Sequence, residues 1–316
     1  MKTKVSVLGA CGEIGKILSV LLKLDERLSH VSLYDIANIG IALDASYIPT
    51  GVAISGHRGP SEEALRECLI GSTIVVVVAG APYGPGFSRE KAFDKNAKIV
   101  SGLASSIASV CPKAQIIVTT NPVNSLVPLV HEVYQRKGLG TPNVLGLVSL
   151  DIARARVVVG EAVGVPANDI DVQVIGGHSD GTMLPVLSSV RGHTFADEER
   201  RRMSERIVNC VHEVLDAREG MTASLSTAYA IKEIVDSIVE SLGGETPRRP
   251  LAAFVKNEKI RSGYFSSRLV MDKGGSFSPL PLPAMSGDEE KKYEEILSVL
   301  TEEVGVAVSW AEENLK

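Results

Sequence analysis

Along this chain, short unbroken apolar runs alternate with stretches in which apolar residues recur every three or four positions. Residues 5–8 form the first run, with only Ser6 interrupting it, and Gly9, Gly12 and Gly15 follow at once. An amphipathic stretch then carries Ile14, Ile17, Leu18, Leu21 and Leu22 on one helical stripe. The same alternation continues to residue 148. Strands are expected at 30–35, 73–79, 115–120 and 143–148, and helices at 39–48, 61–69, 88–110 and 125–137. Residues 73–79 read Thr-Ile-Val-Val-Val-Val-Ala with no polar alternation, which marks a strand buried on both faces of a parallel sheet. Helices between such strands make right-handed crossovers, so residues 1–147 are expected to form one α/β domain with a doubly wound parallel sheet. Its ligand sits at the carboxyl ends of the strands.

The texture changes near residue 148. Helices are expected at 151–163, 196–217 and 224–242, and strands at 171–175, 252–256 and 268–271. A last helix carries Tyr293, Ile296, Leu297, Leu300 and Val304 on one stripe. Residues 148–316 are therefore read as a second, smaller α+β domain. The run Glu198-Glu-Arg-Arg-Arg202 reads as a solvated helix face.

The turn Gly9-Ala-Cys-Gly-Glu-Ile-Gly15 joins a strand to a helix, and there the chemistry starts. Glycines let the backbone approach a phosphate, and the helix N-terminus offers free N–H groups and the positive end of its dipole. Alone, three glycines also suit an ordinary strand-to-helix turn. Asp35 ends the next strand, 20 residues beyond Gly15, where a carboxylate accepts from a ribose 2′-hydroxyl and repels a 2′-phosphate. NAD is thus expected over NADP in a Rossmann sheet, with Gly9, Gly12, Glu13, Ile14, Gly15 and Asp35 at the cofactor. Gly15-Lys16 is followed by Ile17 rather than Ser or Thr, which excludes a nucleotide-triphosphatase loop.

Composition narrows the partners. The net charge is −5, which argues against nucleic acid or an anionic membrane, and no apolar run reaches the length of a membrane span. Cys11, Cys68, Cys111 and Cys210 are scattered, with neither metal-ligand spacing nor a disulfide framework, so no metal is expected. They fit a reducing compartment. The first strand begins within five residues of Met1, and a cytoplasmic protein without a targeting peptide is expected.

His178 follows Gly176-Gly177 at a predicted strand end and so faces a cleft. Asp151 heads a helix, with Arg154 three residues on and hence on the same face. An aspartate can orient a histidine for proton exchange with an alcohol, and an arginine can bind a carboxylate through two hydrogen bonds. The plainer alternative is a surface Asp–Arg pair beside a structural histidine.

These stretches resemble the malate and lactate dehydrogenase family, malate type as in mitochondria and bacteria. The resemblance runs nearly end to end. It is carried by the glycine turn, Leu33-Tyr-Asp-Ile36, Ala79-Gly-Ala-Pro82, Pro85-Gly86 with Arg89, and Asn121-Pro-Val-Asn-Ser125. Leu150-Asp-Ile-Ala-Arg154, Val174-Ile-Gly-Gly-His178 and Leu225-Ser226 with Ala228-Tyr-Ala230 complete it. It implies hydride transfer between NAD and a small 2-hydroxy or 2-keto acid, with L-malate and oxaloacetate as the family pair. His178 and Asp151 are then the proton relay, Arg154 and Arg89 hold the substrate, and Asn121 lies at both substrate and cofactor. Ala79 and Gly80 line the cofactor, and the assembly is a homodimer or a dimer of dimers.

The chain departs from that pattern in three places. Tyr83 stands where the malate enzymes have the arginine that pairs with the second carboxylate. Met221 replaces a small residue in a segment one residue short, and Asp180 replaces a common glycine. The proton relay is intact on this reading, while the selector for a dicarboxylate is not. An aromatic or aliphatic 2-hydroxy acid therefore stands beside malate as the expected substrate, and a redox-inactive dinucleotide-binding protein is the remote alternative.

Overall fold

The computed structural model describes residues 3–81 and 89–315, with the side chains of 89–92 excepted. Strands and helices alternate as β1 (Thr3–Leu8), α1 (Glu13–Lys23), β2 (Leu28–Asp35), α2 (Ile41–Ser46), β3 (Ala53–Arg58) and α3 (Glu62–Leu69). They continue as β4 (Ile74–Val77), α4 (Arg89–Val110), β5 (Gln115–Val118), α5 (Val123–Arg136) and β6 (Asn143–Gly146). The six strands pair in parallel in the order β3-β2-β1-β4-β5-β6. The order reverses between β1 and β4, and ligand binds where that reversal leaves a crevice.

The apolar run at 73–79 behaves as its lack of alternation requires. Ile74 and Val76 face one layer with Leu18 and Leu22 of α1, while Val75 and Val77 face the other with Ile107 of α4. All four strand side chains are buried. Strand β3 was not expected from the pattern. Its sequence, Ala-Ile-Ser-Gly-His-Arg, has no apolar run, because an edge strand half open to solvent needs none. The expected helix at 39–48 is a shorter one, Ile41–Ser46.

The remaining elements are α6 (Ser149–Val163), β7 (Gln173–Gly176), β8 (Met183–Val186), α7 (Asp197–Ala217) and α8 (Leu225–Gly243). After these come β9 (Ala252–Lys256), β10 (Tyr264–Met271), β11 (Phe277–Pro279) and α9 (Gly287–Asn314). Strands β8 and β11 were not foreseen, since each is only three or four residues long. The antiparallel strands β9, β10, β7 and β8 continue the parallel sheet, joined to β6 through Gly146 and Phe254. Helix α8 packs its Ile231, Ile234, Val235 and Ile238 into the α1 layer. Helix α9 packs against α5 in the other layer, so both halves of the chain share each face of the sheet.

Candidate active site

The chain leaves β1 through Gly9 at φ +96°, a backbone region that side chains rarely adopt. A Cβ on Gly9 would lie 2.5 Å from the Ala79 nitrogen, and one on Gly15 would lie 2.4 Å from the Gly9 carbonyl oxygen. The turn thus closes backbone on backbone, and only glycine fits. Helix α1 then starts at Glu13 with Gly12 as its N-cap and no side chain capping it. Gly12 and Glu13 are exposed, so the first-turn N–H groups face outward as a cradle for an anion. Asp35, at the end of β2, accepts from the Cys11 N–H at 2.8 Å and the Ala37 N–H at 2.9 Å. Each carboxylate oxygen keeps a lone pair for a hydroxyl. An uncapped helix start and a fixed carboxylate one strand away fit a dinucleotide's pyrophosphate and ribose. Cys11 donates to the Asn38 carbonyl, and burial pushes its thiol pKa up, with the nearby Asp35 charge as the next cause.

Asn96 of α4 ties together the exits of two strands. Its Oδ1 accepts from the Ala81 N–H at 2.7 Å, and its Nδ2 donates to the Asn121 carbonyl at 2.7 Å. Thr120 Oγ1 donates to the Ala79 carbonyl at 2.7 Å. Ala79, Gly80 and Asn121 are therefore held side by side at the carboxyl ends of β4 and β5. Nothing in the local pattern singles out Asn96, whose partners lie 15 and 25 residues away.

Asp151 sits in the first turn of α6 and is fully buried, yet it carries an ionisable group. Its Oδ2 lies 2.6 Å from His178 Nδ1. An ionised carboxylate only accepts, so Nδ1 holds the proton and Nε2 is left for the cleft. Asp151 Oδ1 has no hydrogen bond, and Arg154 Nη1 stands 3.6 Å from it, at ion-pair distance. A second support for the histidine was missed in the sequence, although it lies in a quoted motif. Asn124 Oδ1 accepts from the His178 backbone N–H at 2.8 Å, while its Nδ2 donates to Thr182 Oγ1 and to Glu303 Oε2 of α9. The imidazole is thus fixed at its ring and at its backbone.

His178, Asp151, Arg154 and Asn121 line one cleft of about 730 Å³ between α4, α7 and α9. It is large enough for the reacting ends of a substrate and a cofactor. Arg89 opens α4, but its side chain and the whole of Tyr83 lie outside the described residues. Met221 is exposed and does not line the cleft. Asp180 does line it and lies 3.1 Å from His212 Nε2 of α7. Among the described residues no group of three metal-ligating side chains occurs, and no helix is long and apolar enough to cross a membrane.

Residues 3–144 match the lactate/malate dehydrogenase NAD binding domain, and residues 148–309 match the lactate/malate dehydrogenase alpha/beta C-terminal domain. The chain is 38% identical over 317 aligned residues to a malate dehydrogenase of Psychromonas ingrahamii, covering 99% of this chain and 98% of the relative. It is also 38% identical over 301 residues to the human mitochondrial malate dehydrogenase, covering 94% and 88%. Its fold is similar to that of the apo malate dehydrogenase from Picrophilus torridus, with a TM-score of 0.85 at 24% identity over 99% of this chain and all of the other. A lactate dehydrogenase from Cryptosporidium parvum, solved with lactic acid and NAD, aligns with a TM-score of 0.80 at 24% identity over 97% and 98%.

Proposed function

Because the chain belongs to the lactate/malate dehydrogenase family of NAD-dependent 2-hydroxy-acid oxidoreductases, we propose that its cleft interconverts a 2-hydroxy acid and the matching 2-keto acid through His178, Asp151 and Arg154. The observation that carries this reading is the buried Asp151 bridging His178 and Arg154 at the base of the cleft. Arg154 binds the substrate carboxylate through two parallel hydrogen bonds. That fixes the neighbouring carbon–oxygen group toward His178 Nε2. In the oxidation direction, neutral Nε2 takes the hydroxyl proton, and the imidazolium so formed is stabilised by the Asp151 carboxylate. In the reduction direction, Nε2–H returns the proton to the carbonyl oxygen. NAD, when bound, supplies the hydride acceptor for the first direction and, reduced, the donor for the second.

Gly9, Gly12, Glu13, Ile14, Gly15, Asp35, Ala79, Gly80 and Asn121 form the cofactor side on this reading. Residues 1–147 then serve as the cofactor half and residues 148–316 as the substrate half. Arg89 and Tyr83 complete the substrate side in the same assignment. L-malate and oxaloacetate are the pair that the relatives' names favour. One observation favours a second pair without a second carboxylate: Met183, Val211, Leu215 and Val306 make much of the cleft wall apolar. The test is NADH oxidation by the purified protein against a panel of 2-keto acids. Turnover with at least one is expected, and no turnover with any would overturn the reading.

We further propose a homodimer in the cytoplasm. Large apolar side chains stand exposed on one row of packed helices: Leu43 of α2, Val20 of α1, Leu225 and Tyr229 of α8, and Val157 of α6. A second copy of the chain would bury them. Light scattering at micromolar concentration is expected to give twice the chain mass, and a monomer mass refutes it. The cysteines are all free, as a reducing compartment requires.

A further inference from the structure

The far wall of the cleft is built by the C-terminal part of α7. Val211, His212, Leu215 and Asp216 line it from one helical face, and Glu219 lines it from the turn after the helix. The rise from Val211 to Asp216 is about 8 Å, longer than the carbon chain of a small 2-keto acid. A substrate anchored on Arg154 therefore directs its side chain along this wall or against Phe93 of α4 and Val306 of α9 opposite.

The charge on that wall is one-sided. Among the described residues, the cleft is lined by five carboxylates, Asp151, Asp180, Asp216, Glu219 and Glu303, and by one guanidinium, Arg154. Asp151 is matched by His178 and Arg154, and Glu303 accepts from Asn124 and Ser179. Asp180 meets His212 at 3.1 Å. Asp216 and Glu219 have no ion-pair partner among the described residues. The nearby Arg218 donates instead to the Thr222 carbonyl and to Ser224 Oγ.

The backbone adds to the same sign. Helix α7 ends at Ala217 with no basic residue in its last turn; the C-cap residue Arg218 turns its guanidinium to Thr222 and Ser224, and Asp216 and Glu219 flank the negative end of the helix dipole. Carboxylates at the negative end of a helix dipole make an arrangement hostile to a further anion.

We propose that Asp180 and the last turn of α7, Asp216 above all, are specificity-determining residues that select against a second carboxylate. The cleft then prefers 2-keto acids with an uncharged, apolar side chain, which Val211, Leu215 and Val306 receive. This inference rests on the dehydrogenase reading above and names its substrate class. Asp180 and Asp216 touch no reacting atom. They act through the field at the substrate's far end, so they change the choice between substrates more than the rate of either.

The sign of the effect is measurable in the wild-type protein. The quantity is the ratio of kcat/KM for oxaloacetate to kcat/KM for 2-oxo-4-methylpentanoate, with saturating NADH. The carboxylate common to both substrates cancels in this ratio. Repulsion is screened by salt, so the ratio rises roughly threefold between low and high ionic strength. Attraction to a cation makes it fall. The double variant Asp180→Asn, Asp216→Asn raises the ratio by about tenfold and flattens its salt dependence. A ratio that falls with salt or stays constant overturns the inference, as does a folded double variant with an unchanged ratio, while NADH oxidation with both acids leaves the dehydrogenase reading standing. If neither acid is reduced and the wider panel is also inert, the dehydrogenase reading fails and takes this inference with it.

Discussion

Replacing Asp151 by asparagine keeps the shape of the side chain and removes its charge. Asp151 is fully buried and His178 Nδ1 lies 2.6 Å from its Oδ2, so water does not replace what is lost. In the proposed reaction, when Nε2 takes the substrate proton, the imidazolium and the carboxylate stand as opposite charges about 4 Å apart between centres. At an effective dielectric near 20 their attraction is about 4 kcal/mol, or roughly three decades in rate. The asparagine amide offers two poor substitutes. Its oxygen accepts the Nδ1 proton without stabilising a charge, and its nitrogen, if turned inward, forces the proton onto Nε2 and removes the base. Asp151→Asn is therefore expected to lower kcat/KM by about 10³-fold, within the usual range for general acid–base catalysis. The Asn124 contact to the His178 backbone stays in place, so the histidine should keep its position. Steady-state NADH oxidation measures the loss, and fluorescence titration with NADH shows whether cofactor binding survives. A variant that binds NADH normally and keeps more than a tenth of wild-type kcat/KM would show that the buried charge does not serve the histidine, and the argument would fall.

Two further outcomes follow from single residues. Asp35→Asn removes the charge that opposes a 2′-phosphate, so the ratio of kcat/KM for NADH to that for NADPH should fall at least tenfold; equal ratios in variant and wild type would remove Asp35 from the ribose. Burial holds the pKa of His131 down at about 4, with the Lys256 charge as the lesser cause, so the folded chain keeps it neutral while the unfolded chain protonates it near pH 6.5. Stability is then lost as pH falls from about 6.5 to about 4, by up to about 3 kcal/mol from this group. His131 stacks edge-on against Tyr264 and its Nε2 has no hydrogen bond, so His131→Phe should fill the site and flatten that part of the pH dependence. Urea midpoints at pH 7 and pH 4.5 check this, and an unaltered slope in the variant refutes it.

Much of the architecture was written in local pattern. A short apolar run without alternation and rich in β-branched residues reads as a strand covered on both sides, and the Ile74–Val77 layers agree with it. The glycine turn was legible because a Cβ at Gly15 has no room, which is a property of a few adjacent residues. His178 and Asp151 lie 27 residues apart, and family resemblance paired them before any geometry did. Other parts had no local signature. The edge strand β3 is too polar to announce itself, and β8 and β11 are too short.

What only the tertiary structure decided lies in the long-range polar contacts and in the field of the cleft. Asn124 reaches Glu303 across 179 residues, Asn96 joins two strand exits, and His212 meets Asp180 only because α7 lies beside the turn after β7. Sequence periodicity reports which face of an element is buried. It carries no information about which two faces meet, because that depends on how many elements pack together at once. The sequence therefore determined the chemistry near the backbone: a glycine turn at an uncapped helix start, an acid at the end of the next strand, a histidine at a strand end. The packing of α4, α7 and α9 determined what surrounds that chemistry, including the carboxylates Asp180, Asp216 and Glu219 that line the cleft.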